Sequence, residues 1–186
     1  VTLPGCFALQ RQWIIGHDAV LEILERTLPW SVERIRMFGR TVPVPRATAL
    51  IGEAPYTYSG IRHTPAPWDP MLAAMRDRLE RELGIRFNSC LANFYRNGRD
   101  SVAWHADDEP ELGERPTIAS VSLGDARAFV VRRAAVPRNV VEVLELGYGD
   151  LLVMRDESQA DYQHCVFKTS HPVGPRINLT FRSVRV

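Results

Sequence analysis

Lysine is almost missing from this chain: Lys168 is the only one among its 23 basic residues. Arginine suits planar, two-point contacts to carboxylate or phosphate, but a GC-rich genome gives the same skew with no functional meaning. Composition leaves both readings open. Cysteine is scarce too. Cys6, Cys90 and Cys165 are scattered and odd in number, which excludes a disulfide framework and fits a reducing cytoplasm. No apolar run approaches the roughly 20 residues of a membrane-spanning helix, and the N-terminus lacks the basic and apolar segments of a secretory signal. A net charge of only +1 excludes a global basic signature for nucleic acid. Repeats, low-complexity tracts and long linkers are absent as well, so the 186 residues read as one domain, expected to be monomeric and without a membrane partner.

What is present has clear periodicity. Val20, Ile23, Leu24 and Leu28 fall at helical spacing over residues 18–28. The clearest helix covers residues 69–83: Asp69 can cap it, Pro70 suits the first turn, Leu72, Met75, Leu79 and Leu83 form a stripe, and Gly84 ends it. After Gly84 the pattern changes to short strands at 86–95, 117–124, 127–133, 139–146, 150–154, 162–167 and 176–184. Residues 34–40 and 46–51 also look extended. Helices followed by many strands predict an α+β domain with a sandwich or barrel core, and pattern alone does not separate a jelly roll from another sandwich.

His105 and Asp107 are two residues apart, so in extended backbone they reach the same side and one metal ion. His164, in a later predicted strand, can complete two imidazoles and one carboxylate, the facial pattern of non-haem Fe(II) oxygenases. Zinc can occupy such a set as well. In the last strand Ile177, Leu179 and Phe181 face one way, while Arg176, Asn178, Thr180 and Arg182 face the other. Burying two guanidiniums requires anionic partners. A dicarboxylate such as 2-oxoglutarate supplies them, and so do nearby acids on an exposed polar face. Asn93 and Tyr95 share a face with Leu91 and Phe87, either as cosubstrate ligands or as satisfied core groups.

The ordered set Asn93-x-Tyr95, His105-x-Asp107-x-Glu109, His164 and the run from Arg176 to Arg182 resembles the AlkB family of nucleic-acid dealkylating dioxygenases. Similar stretches at 118–124 and 149–154, with weaker similarity back to Phe38, extend the likeness over roughly residues 30–184. The resemblance implies a double-stranded β-helix (jelly roll) core over about 85–186. Residues 1–84 would then hold helices and a nucleotide-recognition hairpin region. It implies Fe(II) on His105, Asp107 and His164, with 2-oxoglutarate and O2 as cosubstrates. It places Arg176 in the distal region of the site, beside the carboxylate of the metal arm, and gives 2-oxoglutarate to Arg182, Asn93, Tyr95 and Asn178. The implied reaction hydroxylates an N-alkyl carbon, which leaves as formaldehyde, with succinate as coproduct.

The substrate implied is alkylated DNA, single- or double-stranded, carrying 1-methyladenine or 3-methylcytosine. RNA or protein as substrate, or a non-catalytic nucleic-acid-binding module, are the alternatives. Tyr56, Tyr58 and His105 would wall the base, and Glu109 would accept from its exocyclic amine. Phe38, among Arg34, Arg36 and Arg40 at a predicted hairpin tip, would wedge into a base step. Arg127, Arg132, Arg133 and Arg138 form a second candidate phosphate patch. Where family members show His-Ser-Val-Pro-Lys, this chain has Cys165 and Phe167 around Val166, a change expected to alter packing and substrate access near the site.

Overall fold

The computed structural model describes residues 3–37, 39–53, 56–58 and 61–185, and of residues 35–37, 56–58 and 61–63 the backbone only. In chain order it contains β1 (Phe7–Gln10), α1 (His17–Thr27), β2 (Arg34–Met37), β3 (Arg40–Pro43), β4 (Ala47–Gly52), β5 (Tyr56–Tyr58), β6 (Ile61–His63) and α2 (Pro70–Leu83). There follow β7 (Ser89–Tyr95), β8 (Val102–His105), a single 3-10 turn (Pro110–Leu112), β9 (Ile118–Gly124), β10 (Arg127–Arg133) and β11 (Val140–Leu146). The chain ends with β12 (Asp150–Met154), α3 (Ser158–Asp161), β13 (Tyr162–Val166) and β14 (Arg176–Arg182). No helix among the described residues is long and apolar enough to cross a membrane.

Two antiparallel sheets face each other, the jelly-roll core of an α+β fold. The larger has the order β1-β12-β9-β14-β7-β4 and the smaller β11-β10-β13-β8. Strand β1 was not foreseen in the N-terminal part, whereas β4 falls on the stretch at 46–51 expected to be extended. Their backbone groups pair with β12 and β7, which would otherwise be open edges. The stretch at 34–40, expected to be extended with a hairpin tip, forms the antiparallel pair β2 and β3, with Met37 opposite Arg40.

The larger sheet has a different chemistry on each face. Ile177, Leu179 and Phe181 of β14, with Cys90, Ala92 and Phe94 of β7, pack under Leu21, Leu24, Leu72, Met75 and Leu79 of the two long helices. Fully burying each large apolar side chain contributes roughly 1.5–3 kcal/mol, so this layer fixes which face of β14 points outward. Between the sheets, Phe129, Val131, Leu144, Leu146, Ile118, Leu152 and Met154 form a second apolar cluster. Phe87 does not share the Asn93 and Tyr95 face, contrary to the sequence expectation. Its backbone N–H is caught by Glu80 Oε1 at 2.8 Å, β7 starts only at Ser89, and the ring turns to the helix layer.

Helix α2 keeps its predicted boundaries. Asp69 Oδ1 accepts from the N–H of Met71 at 2.8 Å, and Gly84, at φ 69°, donates its N–H to the Glu80 carbonyl. Asp69→Ala is expected to lower the unfolding free energy by about 1 kcal/mol, while Asp69→Asn keeps most of it. Urea denaturation of both variants checks this; equal losses would mean that the charge, not the cap, matters.

Candidate metal centre

β8 lies next to β13, and their register sets His105 opposite His164. The ring centroids are 4.3 Å apart. The strand ends at His105, and two residues later Asp107 turns its carboxylate to the same point. One ligand atom from each of the three residues lies within 4.8 Å of the others. Two imidazoles and a carboxylate at this separation fit a single Fe(II) ion and leave its remaining positions open.

Local contacts fix each arm. His105 Nδ1 lies 2.8 Å from the Ala103 carbonyl, which holds the proton on Nδ1 and leaves Nε2 for a metal. His164 stacks on Phe129 at 4.9 Å. Burial, then the neighbouring His105, pushes His164 down to about 3, so it is neutral near pH 7 and keeps a lone pair. The backbone N–H of Asp107 donates to Gln159 Oε1 at 3.0 Å. Arg182 Nη2 sits 2.7 Å from Asp107 Oδ1, with both side chains almost fully buried. Burial works against the charged carboxylate, but Arg182 above all prevails and holds it at about 2.

Below the triad a narrow slot opens between the sheets, lined by Asn93, Tyr95, Arg176, Asn178, Thr180 and Arg182 among others. All five residues expected to meet the cosubstrate are therefore brought to one cavity. Arg182, not Arg176, stands beside the carboxylate of the metal arm; the two are six residues apart on a strand and mark opposite ends of the slot. Arg176 is buried, donating to Ser122 Oγ (2.8 Å) and the Leu146 carbonyl (3.2 Å). Its Nη1 is buried with no acceptor in hydrogen-bonding geometry. Burial lowers its pKa, with Tyr95 the first group to work against that. Asn178 is held by Ser120 Oγ at 2.7 Å, and Asn93 Oδ1 accepts from Arg46 Nε at 2.7 Å. A dicarboxylate lying between Arg176 and the triad matches this donor set.

At His105 and Val102 the slot meets a wider groove of about 960 Å³. Glu109, Trp104, Phe167 and Lys168 line the groove. Phe38 lies outside the described residues, as do the side chains of Tyr56 and Tyr58, whose backbones form β5.

One member of the expected phosphate patch is corrected. Arg127 is buried and donates to the carbonyls of Asn97, Asp100 and Phe167, at 3.2, 3.0 and 2.6 Å. It ties loops together and presents nothing to a phosphate. Period-two reading of β10 would have found this, since Arg127 shares the face of Phe129 and Val131. Sequence reasoning also missed Gln159, Ser120, Ser122 and Arg46. No spacing rule links them to the triad; sheet closure does. Cys165 is buried and its thiol is pushed up to about 11 by burial, so it is an inert packing group.

The family model described as 2OG-Fe(II) oxygenase superfamily matches residues 9–182. Alpha-ketoglutarate-dependent dioxygenase alkB homolog 3 of Bos taurus is 46% identical over 175 residues, covering 90% of this chain and 61% of its own length. DNA oxidative demethylase ALKBH2 of Mus musculus is 38% identical over 178 residues, covering 90% of this chain and 74% of its own. The chain thus spans about three fifths of the first of these relatives. The solved structure of OsALKBH1 superposes with a TM-score of 0.67 at 17% identity, covering 98% of this chain and all of that one, a likeness of fold.

Removing Arg182 would leave the Asp107 carboxylate buried and unpaired. Arg182→Met is expected to cost about 3–5 kcal/mol of stability in the metal-free protein, partly recovered when Asp107→Asn is added. Denaturant titration of the two single variants and the double variant checks the coupling. Simple additivity would show that the pair does not act as a unit.

Proposed function

Because the chain belongs to the 2OG-Fe(II) oxygenase superfamily and, within it, to the AlkB dioxygenases, whose members use Fe(II), 2-oxoglutarate and O2, we propose that it oxidatively dealkylates N-alkylated bases in DNA. The preferred lesions on this reading are 1-methyladenine and 3-methylcytosine. The observation that carries it is the junction of two spaces at His105: a narrow slot lined by Arg176, Arg182, Asn93 and Asn178, and a groove of about 960 Å³.

His105, Asp107 and His164 would hold the iron. With Fe(II), 2-oxoglutarate and O2 bound, the site supplies an oxidant that hydroxylates the N-alkyl carbon, 2-oxoglutarate leaving as succinate and CO2 and the carbon as formaldehyde. Arg176 takes the far carboxylate of 2-oxoglutarate on its unused Nη1, a charge-assisted bond in a dry site. Arg182 keeps Asp107 ionised and aimed at the metal, with Asn93, Tyr95 and Asn178 around the cosubstrate's body. Gln159 fixes the backbone of the carboxylate arm, and the apolar wall of Phe129, Met154 and Val166 excludes water from the slot.

Glu109 accepts from the exocyclic amine of adenine or cytosine, a donor that the methylated bases retain. On this reading Tyr56, Tyr58 and His105 wall the flipped base, and Phe38, between β2 and β3 in the sequence, is the duplex wedge. Three free cysteines, two of them buried, accord with action in the reducing cytoplasm; a monomer suffices for this chemistry.

Turnover of methylated single-stranded DNA, duplex DNA and RNA tests the reading, with succinate and formaldehyde counted against repaired base. Conversion on DNA with one succinate per repair is expected. No conversion of either base, with iron and 2-oxoglutarate demonstrably bound, would remove the substrate assignment, and a faster rate on RNA would redirect it. Arg176→Leu is expected to raise the KM for 2-oxoglutarate roughly 10- to 100-fold, the loss of one charge-assisted bond, while Fe(II) affinity stays. An unchanged KM would place the far carboxylate elsewhere.

A further inference from the structure

Neither the metal arm nor the slot uses the outer face of the smaller sheet. On β13, His164 and Val166 line the slot, and Phe167 follows directly after the strand's last residue. Phe167 is 51% exposed, and its ring meets Trp104 edge to face at 5.4 Å and 82°. The guanidinium of Arg132 lies 4.1 Å from the Trp104 ring and is held in place by two bonds to Gln163 Oε1, at 3.1 and 2.7 Å. Beneath the phenylalanine, buried Arg127 grips its carbonyl at 2.6 Å. Trp104 and Phe167 flank the groove together with Lys168, and Trp104 directly precedes the iron ligand His105.

A single exposed phenylalanine is ordinary on a protein surface. Phe167 differs in being fixed from below by Arg127, packed at its edge by Trp104, and set at the lip of the groove beside two cations. Such a surface is preorganised, so a flat ring laid on it loses little protein entropy. The cations favour a partner that carries negative charge next to its flat rings.

We propose that Trp104 and Phe167, backed by Arg132, form a stacking platform for the unpaired base next to the target nucleotide in single-stranded DNA. The inference deepens the dealkylase reading and rests on it. The neighbouring base lies on Phe167, and Arg132 and Lys168 face the phosphates that link it to the target. In a duplex the same base is already stacked on both sides and gains nothing by moving to the platform. The site therefore favours single strands, independently of any wedge at the β2–β3 turn.

The test uses an oligonucleotide with one 1-methyladenine, its neighbours being either normal bases or abasic sites, as single strand and as duplex. Phe167→Ala is expected to raise KM on the normal single strand about ten-fold, the loss of one stacked base, with kcat kept, and Phe167→Trp is expected to restore it. With abasic neighbours, wild type should show the raised KM already and Phe167→Ala should add nothing. An equal loss on both oligonucleotides, a similar loss on duplex, or no loss at all overturns the platform. Binding of unmethylated oligothymidylate, followed by fluorescence anisotropy, is measured in parallel. If wild type repairs nothing yet Phe167→Ala weakens this binding about ten-fold, the platform stands and the dealkylase reading falls; unchanged binding overturns the platform.

Discussion

Arg182 and Asp107 meet in the space between two β-sheets, 2.7 Å apart and nearly without solvent. Two opposite charges in such a place are tolerable only together. The pair keeps the carboxylate ionised at the metal position, and it ties the last strand of the large sheet to the loop after β8. Around it the interior divides into an apolar end, where Phe129, Val131 and Leu144 pack, and a polar end, where Arg176, Asn178 and Ser120 are hydrogen-bonded. The order of chemistry in the site follows from this division.

The strand that carries both arginines has two duties, and the pleat separates them. Ile177, Leu179 and Phe181 anchor β14 under the helices, and that anchoring turns Arg176, Asn178 and Arg182 into the interior. A one-residue slip would bury the arginines under apolar helices and put Phe181 at the metal. Register is thus enforced by a layer that touches neither the metal ligands nor the groove. Arg127 does comparable work on the small sheet, where three carbonyl acceptors convert a charged side chain into a loop anchor.

The groove differs from the slot in kind. The slot is narrow and lined by polar and charged side chains, with Arg176 Nη1 buried and without an acceptor, which suits a small cosubstrate of fixed charge. The groove is open, lined by Trp104, Phe167, Glu109 and Lys168, and offers rings and charges to a larger partner. Departures from the family pattern at Cys165 and Phe167 divide along the same line. Cys165 is buried and only packs, whereas Phe167 reaches the groove and changes what it presents.

Much of this was legible in the residues alone. Helix α2 with its Asp69 cap, the strand alternation of 176–182 and the pair His105 and Asp107 depend on local spacing, which the sequence carries explicitly; His164, far along the chain, joined them through the family resemblance. The roles of Gln159, Arg46 and Ser122 were not legible, because each acts on a group far away in the chain. Arg127 was misjudged as a phosphate contact, since charge is visible in sequence but the carbonyls that satisfy it are not. Likewise, two arginines on one face were evident, but their assignment to opposite ends of the site was not. Spacing along a strand fixes the direction of a side chain. Which charge lies across from it is decided when the sheets close, because only then is each buried ion forced to find its partner.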